Sequence, residues 1–268
     1  MRRALLVLLI AATAVLGASP TPSPSGLWAP TQNMTSARAG ATATLLPDGS
    51  VLIAGGLDAQ GAPTASAERY SGDLGTTEAV PPMETARANH SATLLQDGRV
   101  LVVGGVGATG ALASAEVYDP ASNAWQTVAP MNVARQGATA TLLSDGRVVI
   151  AGGSDGLNAV WSIEVFDPWT PWFSLSGASL TTPRAGHASV RLDRDVVLIT
   201  GGFDGSQPLA TTDLYDAIND VVTVGPTLAT PRAAHSATTL LDGRVLIAGG
   251  WDASGDLATA ELYDPSTG

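Results

Sequence analysis

The sequence predicts an all-β, five-bladed propeller of four-stranded antiparallel blades, and three observations predict it. Five times an Arg is followed seventeen residues later by a Gly-Gly pair, at Gly55, Gly104, Gly152, Gly201 and Gly249. The pairs are spaced 49, 48, 49 and 48 residues apart, a period near 50 that marks units burying their apolar faces only against neighbours. Within each period, short runs suited to strands alternate with turn signals such as Asp-Gly and Asp-Pro.

The third repeat shows how one blade is built. Gly137 to Leu143 alternates small and hydroxyl residues, Asp145-Gly146 is a two-residue hairpin signal, and Val148 to Ala151 is fully apolar. The first strand is small-residued because blades converge on the axis, whereas the second lies between neighbouring blades and carries Val, Ile and Leu on both faces. Gly152-Gly153 ends it, since Gly takes positive φ freely and allows close backbone approach. Ser162 to Asp167 follows as a third strand, then a Pro168 turn, then an aromatic-led fourth strand around Trp172.

The same marks recur in every repeat. Tyr70, Tyr118, Phe166, Tyr215 and Tyr263 share one position, and Glu68, Glu116, Glu164, Asp213 and Glu261 stand two residues before them. Met34, Met83, Met131, Leu180 and Leu228 stand four residues ahead of the repeat Arg. A later Trp appears at Trp125 and Trp172, and Arg-x-x-His appears at Arg87 to His90, Arg184 to His187 and Arg232 to His235. On these residues the chain, over about 28 to 268, resembles the Kelch-repeat family, and within it the exported bacterial Kelch-repeat proteins. The resemblance implies a Kelch-type β-propeller. Departures are local: Arg194-Asp195 replaces Asp-Gly in the fourth repeat, and Ser71-Gly72 replaces Asp-Pro in the first.

The chain enters its repeat out of phase. Leu27-Trp28 to Met34 matches Trp125 to Met131, a fourth strand without the preceding three, and Tyr263 to Gly268 ends on three strands without a fourth. The N-terminal strand is therefore expected to close the last blade and leave no unpaired edge. A truncated larger ring is the competing account. Residues 1–18 read as a signal peptide, with Arg2 and Arg3 ahead of an apolar run too short to span a bilayer. Residues 19–26 read as a Pro/Ser/Thr-rich linker and 27–268 as the propeller, which places the protein in the periplasm or outside the cell.

Composition excludes several chemistries. The chain has no Cys, so neither disulfides nor thiolate metal sites are available, and all thirteen basic residues are Arg, which removes Lys-dependent mechanisms. The net charge of -11 repels phosphate backbones, so nucleic acid is not an expected partner. No membrane span, cofactor or metal is expected, and the chain is expected to be a monomer.

Strands alternate direction, so the loop between second and third strands and the link into the next blade share one face. That face holds the variable loops, where propellers place recognition. Arg38, Arg87, Arg135, Arg184 and Arg232 fall on the same rim, as do Asp58, Asp155, Asp204 and Asp252 after four of the Gly-Gly pairs. In a functional reading, the guanidiniums and carboxylates ring a central opening dressed by Trp161, Phe203 and Trp251, suited to sugars, acidic glycans or a peptide carboxylate. In a structural reading, each Arg pairs with a repeat acid or caps backbone carbonyls between blades, and each Asp makes an Asx turn. His90, His187 and His235 share one position on the innermost strand, where Ala41 and Ala138 stand in other repeats. They are expected to fill the blade interface, as are Trp125, Trp172 and the repeat Tyr.

No nucleophile, base and orienting group stand out against the repeat background, which favours an exported non-catalytic scaffold that binds a protein or glycan. The resemblance also implies alternatives. A galactose-oxidase-like copper site needs a Cys that this chain lacks, whereas a sialic-acid-type mutarotase needs no metal and uses rim Arg to hold a carboxylate. An intracellular adaptor is disfavoured by the export signal.

Overall fold

The computed structural model describes residues 30–267, and a compact unit begins at Asn33. That unit is a propeller of five antiparallel meanders in sequence order. Blade 1 comprises Thr42–Leu45, Val51–Ala54, Ala67–Ser71 and Thr76–Val80; blade 2 comprises Ser91–Leu94, Val100–Val103, Ala115–Asp119 and Ala124–Val128. Thr139–Leu142, Val148–Ala151, Ser162–Asp167 and Trp172–Ser179 form blade 3, and Ala188–Arg191, Val196–Thr200, Thr212–Asp216 and Val221–Val224 form blade 4. Blade 5 pairs Ser236–Thr239 with Val245–Ala248 and Ala260–Tyr263. Its expected closing segment, Leu27 to Met34, lies outside the described residues up to residue 29, and residues 30–34 form no strand. The expected signal peptide and linker also lie outside the described residues. Among the described residues no helix is long and apolar enough to cross a membrane.

The core lies between blades, as a period of this length demands. Leu101, Val103 and Val117 of blade 2 pack against Val148, Ile150 and Phe166 of blade 3, and Val149, Ala151 and Ile163 of blade 3 pack against Val197, Ile199 and Tyr215 of blade 4. The second strands of blades 2 and 3 are buried at every residue, which is why they contain only Val, Leu, Ile and Ala. At the outer end of the array this covering stops. Leu246 of blade 5 is 38 % exposed, whereas Leu101 at the same repeat position is fully buried.

The Gly-Gly pairs serve the blade junctions. Gly55, Gly104, Gly152 and Gly201 all have φ near +60°. A Cβ on any of them would come within 2.4–2.5 Å of the carbonyl oxygen of the next repeat Arg. No side chain is tolerated where two backbones approach that closely. Gly249 has the same left-handed φ of +68°, yet a Cβ there would meet nothing closer than 3.8 Å.

One aromatic assignment shifts by a residue. Trp125 is opposite Tyr118 in register, with ring centroids 5.0 Å apart and its Nε1 donating to the Pro81 carbonyl at 2.8 Å. In blade 3 the residue opposite the core Phe166 is Phe173, at 4.8 Å, and not Trp172. Strand side chains alternate faces, so Trp172 points outward and is 62 % exposed, which corrects its expected place in the core. Arg194 and Asp195 make the fourth hairpin without Gly by both adopting positive φ, 58° and 55°. Asp195 then accepts from the Ser144 N–H of blade 3 at 2.8 Å.

Phe173→Ala is expected to cost about 3–5 kcal/mol and Trp172→Ala under about 1 kcal/mol, measured by urea unfolding; equal costs would refute the one-residue shift. Gly152→Ala combines an unfavourable φ with a backbone clash and is expected to cost about 2–5 kcal/mol. Gly249→Ala carries only the φ cost, about 1–2 kcal/mol.

Candidate functional site

Each repeat Arg is spent inside the fold. Arg135 Nη1 donates to the carbonyls of Gly152 at 2.8 Å and Ser162 at 2.9 Å, and its Nη2 donates to Ser162 Oγ at 2.8 Å and Glu164 Oε1 at 2.7 Å. The Glu164 carboxylate also accepts the backbone N–H groups of Asn132 and Val133, at 2.7 and 3.0 Å. Arg87, Arg184 and Arg232 repeat this pattern with Glu116, Asp213 and Glu261, and Arg38 with Glu68. All five Arg side chains are at most 1 % exposed. Burial pulls the Arg87, Arg135 and Arg184 guanidiniums below their ordinary value, and the paired acids oppose that shift.

The structural reading of these five residues therefore describes them, and the ring of guanidiniums around the opening is corrected. Each Arg is held by its own blade, with no guanidinium turned to solvent. The rim Asp residues also follow the structural reading. Asp58, Asp155, Asp204 and Asp252 each accept backbone N–H bonds from two to four residues downstream, at 2.7 to 2.9 Å. The Asp155 carboxyl is held below the usual carboxylate range by the N–H groups of Asn158 and Leu157. The Ser206 and Ser254 hydroxyls act first in the same direction on Asp204 and Asp252.

The histidines fill the blade interface. His90, His187 and His235 are buried, and their Nε2 atoms lie 2.9 Å from the hydroxyls of Thr42, Thr139 and Thr200 in the preceding blade. Burial first, and the neighbouring Arg second, depress His90 and His187 to about 3 and His235 to about 4. All three are neutral at physiological pH. No group of ligands among the described residues is gathered as a metal ion would require.

At the axis, on the face of the long loops, the residue two after each repeat Arg is left-handed: Gly40, Asn89, Gly137, Gly186 and Ala234, with φ from 51° to 64°. Their backbones link head to tail. Asn89 N–H donates to Gly40, Gly137 to Asn89, Gly186 to Gly137 and Ala234 to Gly186, at 2.7 to 3.1 Å. This arc frames an open depression of about 540 Å3, lined by Asn89, Gln136 and Ser154 and also by the buried His90, His187 and His235. Gln136 and Ser154 exchange backbone hydrogen bonds at 2.9 and 2.8 Å, so the fold holds their side chains at one edge of the mouth.

An aromatic pair stands beside Ala185 of this lining. Ala185 and Ala233 bridge in the same way to Phe203 and Trp251, whose rings meet with centroids 5.6 Å apart. Trp161 is exposed on the far end of its loop and makes no ring contact with them. Of the eight residues expected at the site, the structure thus brings together only Phe203 and Trp251. The sequence reading missed Asn89, Gln136 and Ser154. Their signal was present as departures from the repeat: Gln136 replaces Ala39, Ala88, Ala185 and Ala233, and Ser154 replaces Leu57, Val106, Phe203 and Trp251.

With this geometry in view, the comparisons are informative about fold. The Kelch motif matches residues 86–132 and 232–268. The solved structure of YjhT is similar with a TM-score of 0.69 at 16 % identity, covering 84 % of this chain and 81 % of that one. No curated protein matches the chain.

The histidines predict a pH dependence with a definite sign. Their folded-state pKa values are depressed, so their contribution is complete above about 6.5 and is lost as the unfolded chain takes up protons below it. Stability should fall by up to about 1.4 kcal/mol per pH unit per His between pH 6.5 and 4. Urea midpoints across that range test this, and His187→Ala, which installs the residue found there in blades 1 and 3, should shallow the slope.

Proposed function

We propose that this propeller, which carries Kelch motifs, is an exported, non-catalytic scaffold that binds a protein or glycan at the axial mouth of its long-loop face. The carrying observation is that repeat symmetry breaks at the mouth toward binding chemistry: Asn89, Gln136 and Ser154 line it, and the aromatic pair Phe203 and Trp251 is bridged to Ala185 and Ala233 beside it. Concave sites with a few convergent polar groups beside aromatic surface are where small ligands and loop tips lodge. Export is proposed on the reading of residues 1–18, and a monomeric state accompanies it.

Three His line the mouth, but among the described residues no acid and nucleophile converge on them, which supports binding over turnover. The histidines, the best general bases by residue type, are buried, neutral and engaged with Thr hydroxyls. The alternative is a carbohydrate-active enzyme such as a sialic-acid-type mutarotase, which the resemblance to Kelch-repeat proteins implies. An Arg clamp for a sugar carboxylate has no free guanidinium to draw on among the five repeat positions.

A glycan array and a protein-capture screen, followed by titration with Trp251→Ala and Phe203→Ala, decide between the readings. Saturable binding without anomer exchange, weakened at least about tenfold by Trp251→Ala at an unchanged unfolding midpoint, is expected. Rapid anomer exchange would favour the enzyme, and binding indifferent to both substitutions would remove the mouth as the site.

A further inference from the structure

We infer that the ligand of the axial mouth is an uncharged saccharide, held by its hydroxyls at Asn89, Gln136 and Ser154 and by an apolar ring face against Phe203 and Trp251. This rests on the mouth being the binding site and adds the ligand's charge and class.

The first argument is the distribution of charge. Of the eleven Arg residues beyond Arg3, the five on the long-loop face are buried and matched one to one with acids. The other six cluster at the opposite face. Arg69, Arg99, Arg147 and Arg244 pair with Asp48, Asp97, Asp145 and Asp242 of the Asp-Gly hairpins, and Arg191 and Arg194 flank the fourth hairpin. Among the described residues, the long-loop face is left with the carboxylates of Asp58, Asp155, Asp204 and Asp252 and no exposed Arg. Its field is therefore negative, and a sialic acid, uronate or phosphate approaching the mouth is repelled.

The second argument is the chemistry inside that ring. The mouth's own lining is neutral: two primary amides, a hydroxyl, backbone groups of the left-handed arc, and the imidazoles of His90, His187 and His235, which burial keeps uncharged. Carboxamides both donate and accept, so each can satisfy a sugar hydroxyl whichever way its proton points. The amides of the lining and the aromatic pair bridged to Ala185 and Ala233 suit a pyranose, which carries hydroxyls at its rim and C–H bonds on its face. A basic peptide suits the Asp ring but leaves the amide cluster without a counterpart.

The repeat supplies its own conservative substitutions. Gln136→Ala, Asn89→Gly and Ser154→Val each install the residue another blade already carries at that place, at Ala88, Gly40 and Val106, and Asn89→Gly keeps the positive φ. The full chain is titrated with neutral and with uronate-containing or sialylated oligosaccharides at low and high salt, and with a poly-Arg peptide. Neutral sugars are expected to bind independently of salt, with each substitution lowering affinity roughly three- to tenfold and leaving the unfolding midpoint unchanged. Acidic sugars binding in preference, or poly-Arg binding that is lost at high salt, would overturn the inference while leaving the mouth as a binding site. Neutral sugars binding with full affinity to all three variants would overturn it as well. Binding of no saccharide by a chain whose protein ligand is still lost in Trp251→Ala would defeat the sugar assignment and keep the scaffold.

Discussion

The structure depends on one repeated contact, in which the repeat Arg is shared between two successive Gly-Gly pairs. Arg135 illustrates it. Its backbone carbonyl accepts the Gly105 N–H of blade 2 at 2.9 Å, while its guanidinium donates to the Gly152 carbonyl of blade 3 at 2.8 Å. Glu164 then ties the same guanidinium to the third strand and to the link that leads into the blade. A cation so far from water is retained only when its charge is matched, which the paired acid does, while backbone carbonyls take its Nη1 donors. The seventeen-residue interval, the doubled Gly and the Glu two residues before the Tyr are three traces of that single contact.

This constraint explains why the junctions between blades 1 and 5 in sequence order look alike while the loops do not. The Arg, the first Gly and the acid have no freedom, since a Cβ on Gly152 meets the Arg184 carbonyl at 2.5 Å and loss of the acid strands a buried charge. Residues one step away from them do have freedom. At the position after the Arg, Gln136 and Ala185 line the axial mouth while Ala88 and Ala233 are buried, and Gln136 keeps the backbone bridge to the facing loop that the Ala residues make. Function can therefore vary next to the most constrained residues of the fold.

Much of the fold was legible because it is written five times. The turn signals, the apolar second strands and the marks near the axis each recur, so a single misleading residue is outvoted. Trp172 shows the limit of that redundancy. Two aromatics stand side by side at Trp172 and Phe173, a strand buries only one of them, and composition alone does not say which. The register does, because Phe166 pairs with Phe173. The site was harder to read for the opposite reason. The five Arg were conspicuous through repetition, and repetition in a propeller signals the junction between blades. Asn89, Gln136 and Ser154 each occur once, and a single neutral polar residue does not stand out until the backbone brings the three to one opening.

The relation between stability and recognition follows from the same distribution. A face that consumes all its cations in holding blades together keeps its turn-forming carboxylates and so acquires a negative rim as a consequence of folding. The rim then filters ligands by charge before any mouth residue meets them. The amides and aromatics at the axis need not themselves discriminate against anions, and their task reduces to shape and hydroxyl pairing. A propeller of this repeat could change its ligand by exchanging Gln136, Ser154, Phe203 or Trp251, but it could become an acid-binding one only by adding a cation outside the Arg–acid junction, since the five it has are already engaged.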